Sequence, residues 1–366
     1  MSANSVIEPF NNSWDVKHRS STIESYESFL DNPPPFHQKL VGYGARPYWS
    51  PDGKRIAFVE KSFGDISEVD LETREVRSLT RGNGENHAFL RVLMLPTGDY
   101  ILVGPPEYKD NYTSRWVESE LWMMDKEAKH PPYKLGRRIY EGLAISQTRN
   151  RISYAVSANQ VDGLTDEYEI RTADIEFVDG RGRLTNEQTI GAFNGEGSVE
   201  PQDFRHDDSE IIFANYRGFS IAPTGVKLEA DWRCDTRGIV IATGERRTYI
   251  AEQNVHNECE GIFPDNEHIC LESSCDFENK FPPIDLWRLR LDGSGARQRM
   301  TRAIDHAPWR TSNCNVSPDG RLLAFMVSTR TDHSGTAKGI GLLDLEAWSK
   351  SPQAQVWEYP KKLLQD

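Results

Sequence analysis

Three of the nine histidines, His87, His256 and His306, each precede a segment predicted to form a β-strand. Amide and carboxyl side chains surround them, as in Gln253–Glu260. Imidazole with carboxylate or amide oxygens can hold a divalent metal, and imidazole can also act as general acid or base. These side chains can equally cap strand ends and hydrogen-bond neighbouring elements. We expect His87, Asn254 and His256 to be catalytic, with no metal and no cofactor.

Paired carboxyl groups form a second kind of candidate site. Glycoside hydrolysis needs two carboxyls flanking the scissile bond, whereas a lyase acting on a uronate needs a cation and a base. The candidate carboxyls are Glu85, Glu141, Glu200, Asp203, Glu258 and Glu260, and the candidate cations are Arg46, Arg91 and Arg310.

Aromatic side chains form a third set, concentrated in the long segments between predicted strands. Tyr and Trp pack against flat ligands and supply one hydrogen bond each, so together these residues predict an aromatic cup around an apolar or planar ligand. Aromatics that fill the space between structural units are the alternative. The set comprises Phe89, Tyr108, Tyr112, Trp116, Tyr216, Phe219, Trp232, Phe277, Phe281 and Trp309.

Composition excludes several other classes. With 43 Lys and Arg against 56 Asp and Glu, the net charge of the 366-residue chain is −13. Nucleic acids and anionic membranes need clustered positive charge, so we predict a small-molecule partner, with no nucleic acid and no membrane. The residues up to Lys17 do not form a signal peptide in the sequence as given, and the location stays open. A nucleophile elbow, a phosphate-binding glycine loop and an HExxH motif are all absent.

A repeated hairpin motif determines the predicted fold. Tyr48–Phe58 recurs as Asn315–Phe325, each with Ser-Pro-Asp-Gly between two apolar strands. When weaker copies are included, the residues equivalent to Pro51 lie at positions 51, 96, 147, 206, 264 and 318. Successive positions are 45 to 59 residues apart. Periods in this range with four strands per unit are typical of a β-propeller.

We therefore predict an all-β chain forming one propeller of four-stranded blades, with six blades favoured over seven. Residues 1–40 form an N-terminal segment that either adds a strand to the last blade or forms a degenerate seventh blade. The propeller spans 41–360, a tail spans 361–366, and the last closing strand is expected near Gln355 to Tyr359. Of the five cysteines, Cys270 and Cys275 could form a disulfide, but free thiols are the favoured interpretation.

The hairpins resemble the TolB-type propeller repeat. More specific stretches resemble the saponin hydrolases found widely in fungi: Leu135–Ser146, Glu200–Phe204, Glu258–Asp265 and Arg310–Asn313 leading into Ser317–Gly320. The chain departs from that pattern at Asn266, where a turn glycine is expected, and at Gly335–Gly339. The resemblance implies cleavage of a glucuronosyl linkage by a hydrolase or lyase.

A second similarity, at the level of the fold, is to fungal hetero-Diels–Alderases of specialised metabolism. It implies a cofactor-independent pericyclase that joins a tropolone-type quinone-methide diene to a terpene alkene in a central pocket. Such a reaction needs an apolar cup and donors to the developing oxyanion. We favour this hypothesis, with glucuronosyl cleavage as the alternative. The predicted catalytic residues are His87, Asn254, His256 and Arg310, and the predicted substrate-binding residues are Phe89, Glu141, Gln202, Tyr216, Trp309 and Asn313.

Overall fold

The structure is a computed structural model that describes residues 29–276, 284–306, 308–329, 332 and 336–364. Its strands form six four-stranded antiparallel sheets, which confirms the predicted six-bladed propeller. In the described part of the chain, no helix combines the length and apolar character needed to cross a membrane.

The first three blades follow a short strand, β1 (His37–Val41). Blade 1 contains β2 (Ala45–Trp49), β3 (Arg55–Val59), β4 (Ile66–Asp70) and β5 (Val76–Ser78). Blade 2 contains β6 (Arg91–Met94), β7 (Tyr100–Gly104), β8 (Glu120–Met124) and β9 (Tyr133–Arg138), with a π-helical turn at Thr113–Val117. Blade 3 contains β10 (Leu143–Ile145), β11 (Arg151–Ser157), β12 (Tyr168–Val178) and β13 (Arg181–Phe193).

The remaining blades carry the longest hairpin. Blade 4 contains β14 (Ser198–Arg205), β15 (Glu210–Ala222), β16 (Gly225–Val240) and β17 (Arg246–Ile250). Blade 5 contains β18 (Asn257–Ile262), β19 (His268–Ser273), β20 (Asp285–Arg290) and β21 (Arg297–Arg299). Blade 6 contains β22 (Trp309–Val316), β23 (Leu322–Thr329) and β24 (Gly339–Asp344). Helix α1 (Leu345–Ser349) follows, and 3₁₀ turns lie at Ala303–Asp305 and Pro352–Gln355.

The Ser-Pro-Asp-Gly turns explain the sequence repeat. In blade 1 the Ser50 hydroxyl donates to Asp52 and accepts from the Arg55 amide, while Gly53 adopts a φ of 68°. The same bonds recur around Ser317, with a φ of 72° at Gly320. In the copy that lacks the glycine, Asn266 adopts a φ of 57°. Asparagine tolerates this left-handed conformation better than most residues, so the departure at Asn266 preserves the turn.

Strand β1 closes the ring as the outer strand of blade 6. It pairs antiparallel with β24, with His37 opposite Leu343 and Val41 opposite Ile340. The prediction of a closing strand near Gln355 to Tyr359 was therefore wrong. Because β1 already covers the edge of β24, the chain turns after β24 into α1, where the Asp344 carboxylate accepts the Ala347 amide. The later segment pairs at a single residue, Glu358, with Arg297 of blade 5.

Cysteine pairing also differs from the prediction. A disulfide joins Cys270 of β19 to Cys314 of β22, and so links blades 5 and 6. Cys275, the partner considered from sequence spacing, is a free thiol, as are the buried Cys234 and Cys259. Cys270 and Cys314 meet because blades 5 and 6 are neighbours in the ring, although the two cysteines lie 44 residues apart in the chain. Spacing along the sequence could therefore not identify this pair.

Candidate functional site

The central cavity lies where the first strands of all six blades meet. It has a volume of about 40 Å³, and the polar side chains that line it are Arg46, Tyr48, Arg91, Gln202, Asp203, Glu260, Asn313 and Asn315. Blade 3 contributes the apolar Leu143. About 10–15 Å³ holds one water-sized probe, so the cavity suits a group of roughly three heavy atoms. This is the candidate functional site.

Bulges in four inner strands aim side chains into the cavity. The pairing register shifts within Ala45–Tyr48, Pro201–Asp203, Cys259–Ile262 and Ser312–Asn315. Arg46 and Asn313 lie within two of these bulges and have φ angles of 53° and 41°. Positive φ is uncommon for such residues, and bulges often re-aim side chains next to functional sites. The bulges therefore mark this region as specialised.

An arginine cluster occupies the side of the channel formed by blades 1 to 3. Arg46 Nη2 lies 2.6 Å from Glu141 Oε1, and Arg91 Nη2 lies 3.6 Å from the same oxygen. Arg115, from the π-helical turn between β7 and β8, donates to both Glu141 oxygens. Burial alone would raise the pKa of Glu141, but the three guanidinium groups outweigh it and lower that pKa. Glu141 is therefore ionised throughout the neutral range.

Gly142 brings this cluster close to blade 4. It has a φ of 94°, and a Cβ at this position would lie 2.7 Å from the Glu200 Cα. Only glycine combines that backbone conformation with such a close approach. As a result, Glu141 and Glu200 lie close enough for the charge of Glu141 to raise the pKa of Glu200.

A carboxylate cluster occupies the side formed by blades 4 to 6. It consists of Glu200, Glu258, Glu260 and Glu272, with Glu258 directly opposite Glu272 across the β18–β19 pair. All four are buried. Asn313 donates through its side chain to Glu260 at 2.9 Å and through its backbone amide to Glu272.

The carboxyls of this cluster differ in acidity. Burial and neighbouring carboxylates raise the pKa values of Glu200 and Glu272 well above their usual range, and raise that of Glu260 to about 7. For Glu258 burial also favours the neutral form, but a hydrogen bond to His256 and the charge of that residue dominate and lower its pKa. The cluster therefore contains both ionised and protonated carboxyls near neutral pH.

Asp203 is a further carboxyl in the cavity. Its two oxygens accept the amides of Phe204 and Ile262, both at 2.8 Å. Burial dominates over these hydrogen bonds and raises the pKa of Asp203 to about 7. Asp203 can therefore hold or release a proton near neutrality.

One group in the described part of the chain has the geometry to hold a metal ion. Ligand atoms of His256, Glu258 and Glu272 all lie within 4.8 Å of one another. Nitrogen with carboxylate oxygen suits Zn²⁺ or Mn²⁺. The arrangement of three histidines considered from the sequence does not form, since His87 and His306 are exposed outside this group.

Six of the ten predicted site residues lie at or around the channel. Besides Glu141 and Asn313, they include Gln202, which donates to Glu258 at 3.3 Å, and His256, whose Nε2 lies 3.1 Å from Glu258 Oε2. The ring of Tyr216 is 5.9 Å from that of His256. Arg310 is buried and donates to Ser328 Oγ at 2.8 Å. Burial lowers the pKa of Arg310, and the charge of Glu272 opposes that shift.

The other four are not part of the described cavity lining. His87 is exposed and contacts Asp65 at 2.7 Å, while Asn254 donates to the Ala230 carbonyl. Phe89 packs against Trp122 in the core between blades 1 and 2, and Trp309 lies in the core between blades 5 and 6. Nothing in these surroundings supports their predicted roles, which stay predictions.

The predicted aromatic cup forms only in part. Tyr216, Phe219 and Trp232 pack edge to face beside His256, with successive ring centroids 5.4 and 5.5 Å apart. Tyr108 packs on Phe63 and Tyr112 on Trp116, elsewhere in the structure. Phe277 and Phe281 lie outside the described residues.

Two charged residues were missed as site candidates. Glu272 lies in β19, opposite Glu258, and a charged residue directly after the apolar run Ile269–Leu271 is the signal that could have identified it. Arg115 was not singled out, and no pattern in the sequence indicates that it contacts Glu141. Of the six predicted carboxyls, Glu85 is exposed and the other five are buried around the channel.

Comparison with known proteins supports the fold alone. No protein-family model and no curated protein matches the chain. Among solved structures, the gluconolactonase of Xanthomonas campestris superimposes with a TM-score of 0.51 at 10% identity, covering 84% of this chain and 88% of that one.

Two further propellers superimpose less well. An oligogalacturonate lyase from Vibrio parahaemolyticus has a TM-score of 0.48 at 13% identity over 87% of this chain and 96% of that one. TolB from Acinetobacter baumannii has a TM-score of 0.43 at 12% identity over 84% of this chain and 68% of that one. At 10% identity the superposition on the gluconolactonase shows a shared propeller fold alone, so the residues of this chain must carry any argument on function.

Proposed function

We propose that the chain is a glycoside-active enzyme that cleaves a glucuronosyl linkage in the central channel. The observation that carries this proposal is the presence of two carboxyls, Asp203 and Glu260, in one cavity with two arginines, Arg46 and Arg91. Two carboxyls are what acid–base cleavage of a glycosidic bond needs, and arginine is suited to a uronate carboxylate.

In the proposed mechanism Asp203 is the general acid. Its raised pKa of about 7 lets it retain a proton near neutrality, which it donates to the departing glycosidic oxygen. Glu260, positioned by the Asn313 amide, accepts a proton from the attacking water. One water is added and one carbon–oxygen bond is broken, and the proton taken up by Glu260 balances the one lost by Asp203.

The pericyclase hypothesis is the second candidate, and it stays a prediction. The packed rings of Tyr216, Phe219 and Trp232 beside His256 support it, since they offer a flat apolar surface with a donor nearby. A cavity lined by charged groups provides no such surface for two hydrocarbon reactants. We therefore place glucuronosyl cleavage first.

Product analysis with glucuronides tests the proposal. Hydrolysis releases glucuronic acid with one added water, whereas elimination yields an unsaturated uronate, and mass spectrometry separates the two. We expect hydrolysis by the wild type and a loss of about 100-fold or more in kcat for Asp203→Asn and Glu260→Gln.

Glu210→Gln is the matched control, because Glu210 is an equally buried carboxyl on β15 that bonds to Arg205 and Tyr249 away from the cavity. Full activity in Glu260→Gln, with a normal melting curve, would refute the proposal. Turnover of a quinone-methide and terpene pair, without glucuronide cleavage, would establish the pericyclase instead.

A further inference from the structure

Buried guanidinium donors of two arginines that line the central cavity lack a protein acceptor. Within the described residues, Arg46 Nε and Nη1 and Arg91 Nε have no hydrogen-bond partner. The two side chains are 6% and 11% exposed, and both residues line the cavity. An unsatisfied buried donor costs about 1–3 kcal/mol, and more when it is charged. An acceptor in the cavity would offset that cost.

The charges around Glu141 leave room for a second anion. Glu141 is one carboxylate among three guanidinium groups, and Arg115 bonds to both of its oxygens. Arg46 uses Nη2 for Glu141, and its Nε and Nη1 donors, which lie on two different edges of the guanidinium, make no hydrogen bond to that carboxylate. Burial, together with the charges of Arg91 and Arg115, lowers the pKa of Arg46 to about 10 despite Glu141, whereas the carboxylates around the channel outweigh burial at Arg91 and raise its pKa.

The cavity selects the kind of anion. A volume of about 40 Å³ matches a planar carboxylate of three heavy atoms better than a tetrahedral phosphate. Asp203 and Glu260 line the same cavity and would repel a dianion more strongly than a monoanion. A guanidinium edge also matches a carboxylate in a two-bond arrangement.

We propose that Arg46 and Arg91 form a preformed carboxylate subsite in the central cavity, which binds the carboxylate of a uronic acid. The identity of the ligand as a uronic acid rests on the proposed function. The subsite itself depends only on the two arginines and the cavity, and Arg115 acts as a positioning residue that bonds to both oxygens of the neighbouring Glu141.

Isothermal titration of the full chain with glucuronate, glucose and inorganic phosphate tests the subsite. We expect glucuronate to bind at least about 10-fold more tightly than glucose or phosphate, because a hydrogen bond to a charged group contributes about 1.5–3 kcal/mol. Arg46→Lys and Arg91→Lys should each reduce glucuronate affinity about 10-fold or more and leave glucose binding unchanged.

Arg205→Lys is the matched control, since Arg205 is buried but bonds to Glu210, Tyr249 and main-chain carbonyls far from the cavity. Equal binding of glucuronate and glucose by the wild type overturns the subsite, and so does an equal loss in Arg205→Lys. Preferential binding of phosphate overturns the assignment to a carboxylate. Glucuronate binding without glycoside cleavage would refute the proposed function and leave the subsite standing.

Discussion

The two sides of the channel bury charge in opposite ways. On one side, three arginines surround the single carboxylate of Glu141, whose pKa is lowered. On the other side, four carboxyls crowd together, and the pKa values of Glu200, Glu260 and Glu272 are raised. The first side is held by ion pairs, whereas the second contains groups that exchange protons near neutrality. Burial favours the neutral carboxyl on both sides, and the pKa falls only where opposite charge outweighs burial, as it does at Glu141.

The largest expected effect comes from removing the shared anion of the arginine cluster. Glu141→Gln leaves three buried guanidinium groups without a carboxylate and should lower the free energy of unfolding by about 3–5 kcal/mol. Urea unfolding measures the change. Glu118→Gln, which removes an exposed pair with Lys109, should cost less than about 1 kcal/mol. A cost for Glu141→Gln as small as that of the control would contradict the role assigned to the cluster.

The next effect concerns the pH dependence of stability through Asp203. Its folded-state pKa of about 7 lies above its ordinary value of 3.8, so the folded state binds the proton more tightly. The stabilisation is complete below about pH 4 and is lost as the pH rises through about 7, a change on the order of 4 kcal/mol. Unfolding curves across this range should show the decline in the wild type and a shallower one in Asp203→Asn. Identical slopes would argue against the raised pKa.

A smaller effect is expected from relieving the crowding of the carboxylate cluster. Glu272→Gln keeps an acceptor for the Asn313 amide and removes a group whose pKa is raised. We expect a change within about 1 kcal/mol, stabilising above pH 7, in contrast to Glu141→Gln. Glu272→Ala should cost about 1–3 kcal/mol, because it leaves that amide unsatisfied. A large loss in Glu272→Gln would mean that Glu272 is ionised in the native protein.

The smallest expected effect is that of metal ions. We expect thermal unfolding of the purified chain to change by less than the experimental error on treatment with EDTA or on addition of Mn²⁺. Stabilisation by Mn²⁺ in the wild type, abolished in Glu272→Gln, would instead assign a metal to His256, Glu258 and Glu272. Differential scanning calorimetry distinguishes these outcomes.

Much of the architecture could be predicted from the chain. The Ser-Pro-Asp-Gly hairpins encode their own turn geometry through local bonds such as that between Ser50 and Asp52, so the repeat was visible without tertiary information. Two candidates for the closing strand, residues 1–40 and Gln355 to Tyr359, could not be separated from the sequence, because β1 and β24 lie about 300 residues apart and their pairing depends on ring closure rather than on local sequence.

The site was only partly predictable. Polar residues near the starts of inner strands, such as Glu141 and His256, were identified because propellers place those segments around the channel. Phe89 and Trp309 pack between blades, because an aromatic next to a strand fits there as well as at the channel, and their predicted roles stay predictions. The ionic partners were not predictable, because Arg46, Arg115 and Glu141 come from three separate segments.

The sequence by itself determined the local hairpins, their spacing and therefore the propeller, because turn residues and strand alternation act over a few positions. Tertiary structure alone decided which charges meet. Four inner strands bulge at the cavity and re-aim residues such as Arg46 and Asn313, and Gly142 brings Glu141 against blade 4. The ionisation of a buried carboxyl depends on neighbours within a few ångströms, and these neighbours come from blades far apart in the chain.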